Sequence, residues 1–512
     1  MPRLQHLRLD TSPDYGLHGL PIIAQCGLSA LQSLDFPEQT FVNVFDSYRL
    51  LQEDDFDGSY RALFVNPRIR KLRMGRVSNT LIAMLIQDFF PSLEHLQVDM
   101  VQNSPASEIA LSENWKLKTL RIECGGSPLV LVKASIQWMA LTVLEYPIMR
   151  LYELPALLER MPRIKSVSHI NACKNRHRDE IRSPGDDGLH EDVQPLRQKP
   201  WHLSLEQFGT PGMQTLPFRQ SALFVLLPQM TNVTRLHLGK INRDIMKCII
   251  DIPLSLLEEL SLCARQDCSD ELVTLVTTTC PRLRVLKGQG LAMAATKIFH
   301  KPWICTELRE LQCSVVGIPR LTEQQEEVMA AGPPPDVKVE DRGKSEQDAW
   351  TPRHMKYSGL MKLQERSRHI QRRVFARFAQ LRQLRILDIG DSRLVPAWRD
   401  SYKRCDNSLD FNLENGLDQL KSLQNLRVLG IGNLDHRMKE KEAEWMVKHW
   451  PDLCALKGCA SKRWINATKN VPGARKTVPE ADVIESLQRL VRRLKELKPS
   501  IVLYDNEHPQ DY

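Results

Sequence analysis

Apolar residues along the chain recur in one short figure, L-x-x-L-x-L, separated by mostly polar stretches. It opens at Leu4, Leu7 and Leu9 and returns at Leu31, Leu34 and Phe36, then Ile69, Leu72 and Met74. Leu93, Leu96 and Val98 carry it next, followed by Leu117, Leu120 and Ile122, with looser copies from Leu141 and Ile164. After a gap it resumes at Val233, Leu257, Leu283 and Leu308, and again at Leu384, Leu426 and Leu453. From 69 to 93, 117 and 141, and from 233 to 257, each step is 24 residues; from 257 to 283 and 308 the steps are 26 and 25. Alternation within the x-L-x-L part predicts a short strand with leucines on one face and the intervening residues on the other.

Between strands the chain must return to the start of the next one, and the patterning predicts helices for these returns. "SNTLIAMLIQDFFPSLEHL" (78–96) places Leu81, Leu85 and Phe89 on one helical face and stops before Pro91. "CSDELVTLVTTTCPRLRVL" (268–286) repeats the grammar, with Asp270 near the start, Leu272, Leu275 and Val276 inward, and Pro281 as the stop. A unit of this length with this core is a leucine-rich repeat. The expected fold is α/β: a leucine-rich-repeat solenoid, or horseshoe, with parallel inner strands and outer helices.

Three stretches interrupt the rhythm. The acidic "EDDFDG" (53–58) reads as a turn in a stretched repeat, and the polar 173–199 reads as an insertion, with "WHLSL" (201–205) restoring a strand. Residues 320–355 contain too few apolar side chains to offset the entropy of ordering and are expected to be flexible. The resulting organisation is a repeat array over 1–319, a flexible insertion over 320–355, and continued repeats over 356–512 closed by a C-terminal helix and strand. Within the last part, "QERSRHIQRRVFARFAQLRQL" aligns Ile370, Val374, Phe378 and Leu381 as the docking face of a helix. Its arginines read as a solvated surface in preference to a nucleic-acid site.

Composition adds limits. Of 512 residues, 42% are hydrophobic and 26% charged, as in ordinary water-soluble chains. No apolar run approaches the roughly 18 residues of a membrane helix, and no secretory signal opens the chain, so a cytoplasmic or nuclear location and no membrane partner are expected. Twelve cysteines are too few for a disulfide scaffold and are expected as thiols. The 70 basic and 62 acidic residues leave a dispersed excess of +8.

Catalytic patterns are thin. Gly390–Ser392, Asn433 and Asp505 with His508 resemble, in order, the blocks of GDSL-type hydrolases, with Ser392 as nucleophile, His508 as base and Asn433 in an oxyanion hole. Only 118 residues separate 390 from 508, a leucine stands where that family carries Asp, and glycines end other repeats too, as at Gly239 and Gly288. Cys263 with Cys268, and Cys454 with Cys459, have no C-x-x-C spacing and no matching His pair, so no metal is expected. Neither a phosphate-binding glycine loop nor a dinucleotide fingerprint occurs, and no cofactor is expected. No enzyme activity is expected. The remaining candidates are the residues flanking the inward leucines, placed on the concave face: Arg73, His95, Gln97, Asp99, Arg121, Glu123, Arg235, His237, Glu259, Ser261, Lys287, Glu310 and Gln312. A mixed-charge array of this kind suits recognition of a protein.

The unit at 260–286 resembles the cysteine-containing repeat of F-box/leucine-rich-repeat proteins through Leu260, Leu262, Asp270, Leu275, Cys280, Pro281, Leu283 and Leu286. Fungal members of that family are also similar in "PWICTELRELQC", "LRILDIG", "WMVKHWPDLCALKG" and "LKELKPSIVLYDNEHPQDY". The resemblance implies the substrate-recognition part of an SCF-type, cullin-based ubiquitin ligase, whose F-box docks on the ligase adaptor. Only Met1–Arg3 precede the first repeat here, so the F-box is expected to be lost or to lie upstream, and adaptor binding would require it. The alternative is a repeat scaffold that binds a protein without ubiquitin chemistry.

Overall fold

The computed structural model describes residues 4–8, 30–35, 68–78, 92–102, 116–125, 138–146, 158–169, 204–209, 227, 230–241, 245, 249, 254–264, 266–289, 291–321, 323–332, 344–390, 408–432, 438–458 and 481–504. The chain divides into two compact units, Met1–Leu238 with Lys247–Pro253, and Gly239–Met246 with Leu254–Tyr512.

In the first unit the apolar figure becomes a ladder of parallel strands in chain order: β1 (His6–Arg8), β2 (Ser33–Asp35), β3 (Lys71–Ser78), β4 (His95–Gln102), β5 (Thr119–Gly125), β6 (Val143–Tyr146), β7 (Ser166–His169), β8 (Gln207–Phe208) and β9 (Arg235–Ile241). The 24-residue period is the register itself, since Lys71 lies beside His95, His95 beside Thr119, and Thr119 beside Val143. One carbonyl per rung, just before the strand, accepts two N–H groups of the next rung. Arg70 O takes Glu94 and His95 (2.8 Å each), and Glu94 O takes Lys118 (2.8 Å) and Thr119 (3.0 Å).

The second unit has the same grammar in β10 (Glu259–Ala264), β11 (Val285–Gln289), β13 (Glu310–Gln312), β15 (Ile386–Asp388), β16 (Val428–Gly430), β17 (Ala455–Lys457) and β18 (Val502–Tyr504), each from β11 on being parallel to the one named before it. A separate parallel pair, β12 (Ala292–Ala294) and β14 (Ser314–Val316), stands beside this ladder. The helices here are α1 (Gln266–Thr279), α2 (Ala295–Ile298), α3 (Glu323–Ala330), α4 (Lys344–Phe378), α5 (Glu440–His449) and α6 (Ala481–Leu497). Both units are leucine-rich-repeat solenoids, and the inward leucines form their cores: Leu93, Leu96 and Val98 in one rung, Leu283 and Leu286 in another, are all at most 2% exposed. Every such rung must stack, because a single strand cannot hide its leucines alone.

Helix α1 confirms the return expected at 268–286, with Leu272 and Val276 buried; Val273 is buried in place of Leu275, which is half-exposed. Asp270 links successive repeats: its carboxylate accepts from the Ala294 N–H (2.8 Å) and pairs with Lys297 (2.6 Å). Helix α4 buries Ile370, Val374 and Phe378 as expected, and Phe375 meets Phe411 edge-on at 5.3 Å. Over 320–355 the backbone differs from the expected unstructured link, being helical in α3 and from Lys344 onward. From Lys344 onward, continuity with the amphipathic, core-docked part of α4 supplies the order that the polar sequence lacks by itself. The strand expected in "WHLSL" (201–205) lies just beyond that stretch: Leu205 takes the first buried position and Phe208 the second, and the rung is Gln207–Phe208. The expected helix at 78–96 and the loops at 53–58 and 173–195 lie largely or wholly outside the described residues.

Candidate functional site

Strand alternation places two rows of side chains on the outer face of each ladder. In the first unit one row runs Arg8, Asp35, Arg73, Gln97, Arg121 and Glu145, matched residue to residue across β1–β6. Asp35 lies 3.9 Å from both Arg8 and Arg73, and Arg121 lies 3.3 Å from Glu145. The neighbouring row brings Lys71 beside His95 and His95 beside Thr119. Over β3–β5 the face therefore presents Lys71, Arg73, His95, Gln97, Thr119 and Arg121, all able to donate hydrogen bonds, and the nearest acids of the rows are Asp35 and Glu145 at its two sides. Burial first, and then the positive charge of Lys71, lower the His95 pKa from its usual 6.5, against the opposing pull of Glu94. Asp99 and Glu123 belong to β4 and β5, but their side chains lie outside the described ones.

The expected face residue His237 is buried, with 3% exposure, and Ser261 is buried too. Gly209 explains the first: in a left-handed conformation (φ 86°), it brings the preceding rung so close that a Cβ there would lie 1.9 Å from the His237 carbonyl oxygen. His237 is buried and is not presented for binding, whereas Arg235 on the same strand is exposed.

In the second unit the face closes on itself. Lys287 Nζ lies 3.9 Å from Glu259 and 3.7 Å from Glu310, and Gln312 Nε2 donates to Glu310 Oε1 (3.1 Å). Burial raises the Glu310 pKa and Lys287 partly opposes it. Farther along, Lys457 reaches Asp388 (3.5 Å) across the intervening strand, because that strand carries Gly430 at the matching position. A Cβ on Gly430 would sit 2.2 Å from the Asp388 carboxylate.

A third row, one residue before each strand, was not among the residues expected to act. In the second unit it holds Arg284, Arg309, Arg385 and Arg427, each following the first leucine of its repeat. Backbone bonds fix their register: Arg309 N donates to Arg284 O (2.7 Å), Arg385 N to Arg309 O (2.7 Å) and Arg427 N to Arg385 O (2.8 Å). Arg284 pairs with Glu258 (3.2 Å) and Glu307 (3.3 Å). The exposed side chains of Arg309, Arg385 and Arg427 make no ion pair or hydrogen bond with the described residues. The signal was in plain view as L-R-x-L in "LRVL", "LREL", "LRIL" and "LRVL".

Other groups serve structure. A cavity of about 260 Å³ opens beside α4 and the start of α5. Its acids are engaged: Asp410 accepts from Asn412 (2.7 Å) and Asn415 (2.9 Å), and the fully buried Glu442 accepts from the Lys439 (2.7 Å) and Leu413 (3.2 Å) N–H groups. Burial pushes the Cys280 thiol up to about 11 and the Cys305 thiol up to about 12, so both are packing groups and not nucleophiles. Ser392, Asn433 and His508, the hydrolase-like set, lie outside the described residues.

No protein-family model matches the chain, and no curated protein matches it. Among solved structures it is similar to an internalin, InlF, from Listeria monocytogenes (10% identity, 83% of this chain and 82% of that one, TM-score 0.38). It is similar also to TLR13 in a complex with ssRNA13 (11% identity, 84% of this chain and 53% of that one, TM-score 0.35). A third is the leucine-rich-repeat ectodomain of the receptor kinase GASSHO1/SCHENGEN3 from Arabidopsis thaliana, in complex with CASPARIAN STRIP INTEGRITY FACTOR 2 (10% identity, 99% of this chain and 62% of that one, TM-score 0.21). Likeness of this degree carries no functional argument; the repeat fold rests on the stacked parallel rungs themselves.

Proposed function

We propose that this protein is a recognition module that binds another protein on the outer strand face of its first unit. The observation that carries the reading is the donor surface over β3–β5, where Arg73 and Arg121 stand in one row, on either side of Gln97, and are 39% and 41% exposed. Side chains held on stacked rungs lose little further entropy on binding, which favours a large, preorganised interface. We extend the reading to the substrate-recognition part of an SCF-type ubiquitin ligase receptor in the cytoplasm or nucleus. Support for that extension is the resemblance carried by Leu260, Leu262, Asp270, Cys280, Pro281, Leu283 and Leu286. The alternative, a ubiquitin-independent scaffold, shares the binding face and differs only in the fate of the partner.

Proximity labelling in the native cell, with the proteasome active or inhibited, tests both levels. Partners labelled by the parent chain and lost from the Arg73→Glu/Arg121→Glu variant establish the face. Retention of more partner under inhibition supports the ligase role, and an unchanged amount supports the scaffold. Pulldown of the ligase adaptor by this chain would favour the ligase role over the scaffold.

A further inference from the structure

We propose that Arg309, Arg385 and Arg427 form a docking rail for the acidic face of an α-helix in the protein partner. The proposal rests on the recognition reading above and names the chemistry of one contact. Three guanidinium groups of the same sign stand on consecutive rungs of β13, β15 and β16, and neighbouring strands are about 4.8 Å apart. Like charges side by side in a sheet repel and are destabilising, so the fold gains nothing from this run. The equivalent row of the first unit shows what the fold does when the position is only structural: Arg70, Glu94 and Lys118 alternate in sign and pair at 3.7 and 2.8 Å.

The occupant follows from spacing and surroundings. On a helix, acids at i, i+4 and i+7 stand about 5–6 Å apart, close enough to the rung spacing for flexible arginines to take up the difference. Alternate residues of an extended strand stand about 6.7 Å apart and fall out of step by the third rung. Planar guanidinium groups take carboxylates in paired, parallel hydrogen bonds, which gives the rail direction as well as charge. A single-stranded nucleic acid would want aromatic platforms for its bases. None of the large exposed hydrophobic side chains among the described residues is aromatic: they are Met139, Ile304, Met361, Leu497 and Val502.

Fluorescence anisotropy with the full chain tests the proposal, using as probe a labelled alanine-rich helical peptide with glutamates on one stripe. Controls are a peptide of identical composition with the glutamates spread around the helix, and an oligothymidylate of equal charge. The striped peptide is expected to bind best, and Arg309→Gln/Arg385→Gln/Arg427→Gln to weaken it on the order of tenfold or more, with unchanged circular dichroism. Arg70→Gln, at the same row position in the first unit, is expected to leave binding unchanged. Equal binding of the spread peptide, tighter binding of the oligothymidylate through the same arginines, or a triple variant that binds like the parent would each overturn the proposal. In the labelling experiment, loss of partner from the Arg73/Arg121 variant together with a failed peptide test would leave the recognition reading standing and remove only the rail.

Discussion

The row just before each strand is built oppositely in the two units. In the first, Arg70, Glu94 and Lys118 form a chain of opposite charges, and Lys165 pairs with Glu206 at 2.7 Å two rungs later. In the second, the same backbone position holds Arg309, Arg385 and Arg427 in succession. The outer strand faces differ in exposure: Arg73 and Arg121 in the first unit pair with Asp35 and Glu145 at its two sides and stay 39% and 41% exposed, whereas Lys287 and Lys457 in the second are only 26% and 20% exposed beside their carboxylates. A leucine-rich repeat sets where side chains stand but not their sign. Where the sign pattern serves the fold it alternates; where it does not, an outside partner is the physical reason to keep it.

The largest effect should show that the rungs themselves are equivalent and only their charges differ. Leu96→Ala in the first unit and Leu387→Ala in the second remove core side chains that are 2% and 0% exposed. Each is expected to cost about 2–5 kcal/mol in urea unfolding. Exchanging the sign patterns comes next. Glu94→Arg, which turns the alternating row into a like-charged one, should destabilise by about 1 kcal/mol at low salt, and the loss should shrink as salt is added. Arg385→Glu, which introduces alternation into the second unit, should stabilise by about 0.5 kcal/mol under the same conditions. Stabilisation by Glu94→Arg would break the comparison.

The smallest effect is acid sensitivity. The hydrogen bond from Lys118 is the chief influence holding the Glu94 carboxyl below its usual 4.5, with burial opposing. A depressed carboxyl binds fewer protons folded than unfolded, so its stabilisation is present above 4.5 and is lost as pH falls through the folded value. Glu94→Gln should therefore flatten the acid limb of a stability–pH curve.

Much of the fold was readable along the chain because burial imposes a strict period. The 24-residue steps between Ile69, Leu93, Leu117 and Leu141 reappear as the strand register, and Pro281 ends α1 where expected. The candidate face was readable in part. Arg73, His95, Gln97 and Arg121 come together on one face, and so do Glu259, Lys287, Glu310 and Gln312 on the other. His237 was misplaced because its burial depends on how closely Gly209 of another rung approaches, a distance that no local pattern encodes. The arginine row is not legible for the opposite reason: L-R-x-L opens four of the repeats, but its meaning depends on the arginines stacking and on three of them lacking side-chain partners among the described residues.

By itself the order of residues determined the repeat, the inward leucines and the strand direction, since each depends on apolar periodicity and on the entropic cost of exposing it to water. Tertiary structure alone decided which charges meet. Lys457 reaches Asp388 across 69 positions of sequence only because Gly430 leaves a gap between them. Pairing depends on distances of a few ångströms between rungs, and those are set by stacking and not by order along the chain.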